Sequence, residues 1–251
     1  MTLELQVYGF VGLFALTLFT LERIFPAVQQ EESPWWWPRA MLLFGLTLVV
    51  GKIGDATWMT WLREFSGLQL FGSVSAPVQG LLCFLIGSFF FYWWHRWRHE
   101  VMLFWDLFHQ MHHSPKRVET LTAYYVHPAE VVVSSVLNGA IIYGLLGGSF
   151  DGFIWSAGIF SCVGIGYHSN LRTPRFLDYL VQTPEMHRLH HKRGVHEGNY
   201  SDLPIWDILF GTFRNPKDYD LEFLFGFRQG LELKFWDIMM FKNVLDKYRK
   251  Q

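Results

Sequence analysis

This sequence is short of charge. Asp, Glu, Lys and Arg make up 17% of its 251 residues, whereas soluble domains carry about a quarter. Hydrophobic residues reach 51%. That balance points away from an ordinary soluble domain and toward a membrane protein. Neither sign of charge is in surplus. The net charge is −1 with His neutral, which leaves no overall field to attract nucleic acid. Cysteine is nearly absent. Cys83 and Cys162 both lie inside apolar runs and neither has a CxxC partner, so they read as small buried hydrophobes and no disulfide framework is expected. The N-terminus lacks a basic n-region and a small-residue cleavage site, so no cleavable signal peptide is expected. There is no internal repeat and no low-complexity tract.

Long apolar runs and aromatic residues stand in their place. Five runs cover roughly residues 5–20, 40–59, 78–94, 131–148 and 153–167. A helix needs about 20 residues to cross a bilayer. The first three runs reach that with their flanks. The last two are short, are parted only by residues 147–152, and read as a tight hairpin of two spans or a re-entrant pair. A large soluble helical core is the bland alternative. Against it stand 12 tryptophans, notably Trp35, Trp36 and Trp37 between Pro34 and Pro38, because Trp favours the membrane–water interface. Lys52 and Asp55 fall inside the second run, where charge is costly unless paired. Their i,i+3 separation suits a pair.

Orientation follows from the basic residues. Arg23, Arg39, Lys52 and Arg63 are the four before residue 95; all others of the 21 Lys and Arg lie at or after Arg96. They fall between the third and fourth runs or after the fifth, and an even number of spans puts both regions on one side. The positive-inside rule makes that side the cytoplasm and the N-terminus external. The chain beyond Leu171 reads as a cytosolic helical cap, with residues 235–247 as an amphipathic helix on it or on the lipid surface. The fold class is therefore an all-α integral membrane protein. Four to five transmembrane or re-entrant helices carry one domain over residues 1–251. Its parts are N-terminal helices (1–94), first histidine boxes (95–128), a hairpin (129–167) and a cap with the last box (168–251).

The 11 histidines are clustered. His95 and His99 are i,i+4. His109, His112 and His113 are i, i+3, i+4, and His187, His190 and His191 repeat that pattern. On a helix these spacings put rings on one face a turn apart, as two ligands of one ion require. His127, His168 and His196 stand singly. A lone His is usually a surface or satisfied core residue, but three such clusters in one chain imply metal binding. Eight clustered imidazoles exceed the four ligands of a closed site, so two metals are expected. Imidazole suits zinc, copper, iron and nickel. Iron suits a lipid-adjacent site because O2 activation reaches an unactivated C–H bond. A membrane metal transporter or zinc sensor is the reading from another class, but transport sites lie near the midplane, and these boxes stand beyond the ends of spans.

In order and spacing, the HRWRH, HQMHH and HRLHH boxes, with YYVHPAE and GYHSN between them and NYSDLPIWDILFGTF closing the set, resemble the fatty acid hydroxylase superfamily. That group includes sterol desaturases, sterol C4-methyl oxidases and alkylglycerol monooxygenase. The likeness covers about residues 80–215. It implies an integral-membrane diiron monooxygenase that uses O2 and two electrons to hydroxylate a membrane lipid (a sterol, fatty acyl, sphingolipid, ether lipid or aminolipid), with a desaturase as the alternative. The ligands it implies are His95, His99, His109, His112, His113, His187, His190 and His191, with His168 as a further ligand. His127 is a ligand or a near neighbour of one, and His196 sits where the pattern is loose. Two Fe2+ ions are the expected cofactor, with zinc able to replace them in a purified sample. Ligand imidazoles need partners for their second nitrogen, for which Asp106, Glu130, Glu185 and Asp207 are candidates beside Asn199 and Tyr200. The aromatic run from Phe89 to Trp94 reads as span packing first and tunnel lining second. No cytochrome b5 domain is evident, so a separate ferredoxin, cytochrome b5 or reductase should supply electrons. The KYRKQ terminus lacks an endoplasmic reticulum retrieval signal, which favours a bacterial inner membrane.

Overall fold

The computed structural model describes residues 1–65, 73–195, 197–218, 223–228 and 230–245. Among these residues the chain is helical and forms no strand, save one isolated bridge between Lys192 and Phe225. The helices are α1 (Leu3–Ile24), α2 (Trp36–Ala56), α3 (Trp58–Arg63), α4 (Ala76–Glu100), α5 (Met102–Phe104), α6 (Gln110–His113), α7 (Pro128–Gly139), α8 (Phe150–His168), α9 (Pro184–His190), α10 (Pro204–Leu209) and α11 (Phe235–Met239). Each of the five apolar runs falls in this helical framework. Three helical stretches, Leu3–Ile24, Ala76–Glu100 and Pro128–Leu145, are long and apolar enough to cross a membrane. α8 packs on both α1 and α4, and α2 packs on α7. α1 exposes the large apolar side chains Leu5, Phe10, Leu13 and Leu16, as a lipid-facing helix does.

Local chemistry sets the boundaries. The Thr2 hydroxyl caps α1 by accepting from the Leu5 N–H, and Pro26 follows its end. Pro occupies the first turn of α4, α7 and α9, where its missing N–H costs nothing. The second apolar run breaks at Thr57, between α2 and α3. There the Trp58 indole lies 2.4 Å from where a Cβ on Gly54 would stand, so only glycine lets the chain fold back. Lys52 does pair with Asp55, at 3.8 Å, but stands closer to Glu4 of α1, at 2.7 Å.

Two cores result. One lies inside the bundle around Met59, Cys83, Ile142 and Ile154. The other joins α2 to the cap around Leu43, Met111, Tyr125 and Phe235. Glu119 ties this second core together: it accepts from Trp36 Nε1 at 2.6 Å, Arg23 at 2.7 Å and Arg117 at 2.9 Å. Of the tryptophan triplet, Trp35 and Trp37 are exposed and Trp36 is buried, stacked on Tyr125. The helix expected over residues 235–247 is broken: α11 ends at Met239, helix resumes at Val244 and residue 245, and residues 246–247 lie outside the described residues. At the break the Gln110 side chain bonds both the Lys242 carbonyl and the Val244 N–H.

Candidate metal centre

Three elements deliver the clustered histidines. α4 ends with His95 and His99 one turn apart. After an extended residue at Val101, the chain re-enters helix through a π turn, Trp105–His109, and then α6. π turns recur where a helix must re-aim functional side chains. α9 supplies His187 and His190, with His191 at its C-cap. His168 is the last residue of α8.

These rings converge into two adjacent groups. One holds His95, His99, His109, His113 and His190; the other holds His112, His168, His187 and His191; within each group the ligand nitrogens lie within 4.8 Å of one another. The partition follows from helix geometry. At about 100° per residue, the i+4 ring returns to within about 40° of the first, while the i+3 ring points about 60° to the other side. Hence His109 and His113 stay together and His112 crosses to the second group. In the same way His187 and His191 stay together and His190 crosses to the first. Each HxxHH box thereby stitches the two groups to each other.

The donor geometry fits a metal. In the second group Nε2 atoms face Nε2 atoms: His112 to His168 at 3.1 Å, His168 to His187 at 2.8 Å, His187 to His191 at 3.0 Å and His191 to His112 at 3.1 Å. Four nitrogens about 2.0–2.1 Å from one tetrahedral ion would stand about 3.4 Å apart, so the rings need only a small outward shift. In the first group His109 and His113 meet through Nε2 at 3.2 Å. His95 Nε2 is buried with no hydrogen-bond partner among the described residues, an arrangement costly in a native fold unless something else binds there. Burial drives the pKa values of His109, His112, His113 and His187 well below the ordinary imidazole range, with nearby cationic and imidazole groups adding to it. Neutral imidazole is the ligand form, so the fold holds the rings ready to coordinate.

The second nitrogens are also held. His95 Nδ1 lies 2.7 Å from the Tyr200 carbonyl, His190 Nδ1 2.8 Å from that of Gly198 and His168 Nδ1 2.6 Å from that of Gly164. His187 Nδ1 differs: its neighbour at 3.0 Å is the Gln182 amide nitrogen, a donor, so this contact positions the ring without fixing the coordinating tautomer. His109 Nδ1 has Glu130 at 3.5 Å and Arg98 NH1 at 3.1 Å; the carboxylate is the acceptor open to an Nδ1–H. Glu130 in turn forms a buried ion pair with Arg98.

The other acids expected beside the ligands do different work. Asp207 accepts from the Tyr200 and Ser201 N–H groups and the Thr212 hydroxyl, so it shapes the loop whose Tyr200 carbonyl meets His95. Asn199 sits in that loop with positive φ, bonded to the Met186 and Arg214 carbonyls. Glu185 accepts from the Thr173 N–H and hydroxyl. Asp106 accepts from Asn243 and anchors the C-terminal segment. His127 joins neither group: its Nδ1 caps α7 by accepting from the Ala129 N–H, and its ring packs on Phe241. His196 lies outside the described residues.

Sequence reasoning passed over Arg98, Gln182, Tyr167 and Asp202. Arg98 alone carried a signal, a cation within the HRWRH box at the end of an apolar run. Asp202 bonds the Tyr167 hydroxyl and is raised to about 6 by burial. These two, with Arg98, Glu130 and His168, form one end of a 440 Å³ cavity between α1, α2, α4, α7 and α8. Its other end reaches Tyr8 and Asp55, and Phe91, Phe153 and Phe160 wall it between. Phe89 and Trp93 instead pack on Trp206 and Phe210 of the cap.

The fatty acid hydroxylase family model matches residues 80–212, a stretch that takes in all three boxes. Ornithine lipid hydroxylase OlsE from Rhizobium tropici is 35% identical over 143 residues, covering 55% of this chain and 42% of that protein. Alkylglycerol monooxygenase from Xenopus tropicalis is 32% identical over 159 residues, 57% of this chain and 32% of the relative. Delta(7)-sterol-C5(6)-desaturase from Nicotiana tabacum is 24% identical over 172 residues, 64% of this chain and 58% of the relative. The chain thus spans less than half the length of the first two of these relatives. No solved structure matches it.

Proposed function

The chain belongs to the fatty acid hydroxylase family, and from that premise we propose that it is an O2-dependent diiron monooxygenase that hydroxylates a membrane lipid. The family is iron-dependent and the relatives are oxidoreductases. The observation that carries the reading is the meeting of two histidine groups with a cavity between apolar helices that ends at His168.

In this reading His95, His99, His109, His113 and His190 hold one iron, and His112, His168, His187 and His191 the other. Bound there, the pair supplies O2 reduction and hydrogen abstraction from an unactivated C–H bond. The remaining work is done by the chain. Burial keeps the imidazoles neutral, and the carbonyls of Gly164, Gly198 and Tyr200 fix the ring tautomers so that Nε2 faces inward. Phe91, Phe153 and Phe160 exclude water from the path of an apolar chain, and α1, α2, α4, α7 and α8 leave room for it along the bundle. The polar end of the cavity stands beside His168, so the attacked carbon lies near a headgroup. That favours a sterol, sphingolipid, ether lipid or aminolipid.

The basic residues gathered after Arg96 support a cytoplasmic face for the cap in a multi-pass inner-membrane protein. Electrons then come from a separate cytoplasmic donor, a ferredoxin, cytochrome b5 or reductase. Lipidomics of cells with and without the protein under 18O2, with native lipids and donor present, tests the reaction. A lipid that gains one 18O is the expected result. Loss of two hydrogens without label would make the chain a desaturase, and an unchanged lipidome would refute both.

A further inference from the structure

A second lipid-shaped feature lies on the opposite face of α8 from the cavity just described. On the outer side of α8, an apolar groove of 460 Å³ runs against α1, with Val7, Phe10, Val11 and Ile159 among its walls. It shares Cys162 and Val163 with a second groove of 380 Å³ that continues past Phe14 and Leu18. That groove shares Arg172 and Thr173 with a polar cleft of 850 Å³ at the end of α1. From Leu3 to Leu18 the helix rises about 22 Å, more than the roughly 15 Å half-thickness of a bilayer core. The three depressions therefore adjoin in order, apolar along the helices and polar at the end of α1.

The polar end is cationic. Arg172, Arg175 and Arg188 line it with Glu185, which accepts from Thr173 and pairs with Arg188 at 3.7 Å, while Arg175 stands 3.8 Å from Asp178. Arg188 is 2% exposed, and its Nε has no hydrogen-bond partner among the described residues. Three guanidiniums share this end with two carboxylates, Glu185 and Asp178, an excess of cation that an anion would balance. Phe25, Phe176, Tyr179 and Leu180 are exposed on the adjoining segments, as interfacial anchors are.

We propose that this path is a binding site for an anionic phospholipid, its acyl chain in the α1–α8 groove and its phosphate at Arg172, Arg175 and Arg188. The lipid lies on the other side of α8 from the substrate cavity, and Tyr167 is the lining residue the two have in common. Arg188 neighbours His187 on α9, so an occupied cleft also steadies the strand of chain that carries the metal ligands.

The test uses the full-length protein, metal-loaded, in nanodiscs of phosphatidylcholine with and without phosphatidylglycerol, followed by detergent extraction and native mass spectrometry. Phosphatidylglycerol should be retained in preference to phosphatidylcholine. The R172Q/R175Q variant changes two exposed side chains outside the metal centre and should keep its metal. Two basic side chains at a membrane surface together weigh roughly 25-fold in affinity, and retention should fall by about that factor. Equal retention of the two lipids, or unchanged retention in the variant, overturns the proposal. So does stabilisation by inorganic phosphate without lipid retention, which would make the cleft a free-anion site. A variant that keeps its phosphatidylglycerol yet accepts electrons more slowly from a [2Fe–2S] ferredoxin would reassign the cleft to a protein donor.

Discussion

Glu130→Gln isolates the coupling between the bundle and the metal centre. Glu130 and Arg98 are each 7% exposed and paired with one another, and both stand beside His109 Nδ1. Removing the carboxylate charge takes the ion-pair partner from a buried Arg98, with Asp202 the acid that remains nearby, and breaking such a pair costs up to about 3–5 kcal/mol. In a chain of this size that lowers the unfolding midpoint by about 6–20 °C. It also removes the carboxylate acceptor near His109 Nδ1, and loss of such a partner weakens metal affinity by about 10–100-fold. The two effects separate in the double variant Arg98→Met with Glu130→Met. Replacing both members of a buried pair with apolar side chains of similar size is often neutral, so the unfolding midpoint should recover while metal affinity stays low. The assays are thermal unfolding in detergent and metal retention against a graded chelator. A Glu130→Gln protein that matches the parent in both would refute the reasoning. A double variant that regains full metal affinity would show that Glu130 acts only by balancing Arg98.

Metal-free protein should lose stability as pH falls. The buried histidines have pKa values below that of the unfolded chain, so the unfolded state binds more protons once pH drops below about 6.5. Four such groups cost up to about 5 kcal/mol per pH unit there. A chemical-denaturation series from pH 8 to pH 5 checks it, and a flat profile would contradict it. His127→Ala should cost about 1 kcal/mol through the lost cap of α7 and leave metal content unchanged; loss of an ion, read by elemental analysis, would make His127 a ligand. Asp207→Asn weakens charge-assisted hydrogen bonds, each worth about 1.5–3 kcal/mol, and should lower the unfolding midpoint and loosen metal held by His95.

The histidines were legible because box spacing is a local property of the chain. The all-helical class was legible because apolar runs of span length leave few other solutions. The assignment of His112 and His190 to the opposite group from their box partners was implicit in the helical angle, yet it needed the second box in place to define the groups. Arg98 and Glu130 are 32 positions apart, and no spacing rule links residues on different helices. The carbonyls of Gly164, Gly198 and Tyr200 left no trace, because a backbone acceptor belongs to every residue. His127 shows the converse: its HP sequence looks like part of a ligand motif, while the same placement before Pro128 makes it a helix cap. The break after α11 went unforeseen for a tertiary reason, since Gln110 takes the Lys242 carbonyl and the Val244 N–H.

The central claim is that nine histidines hold two ions side by side. Anaerobic reconstitution with Fe(II), followed by removal of loose metal and determination of iron per chain, tests it most directly. Two ions per chain are expected for the parent, and one for His168→Ala with His187→Ala, which halves the four-histidine group and leaves the other intact. One ion per chain in the parent, or the same iron content in both proteins, would contradict it.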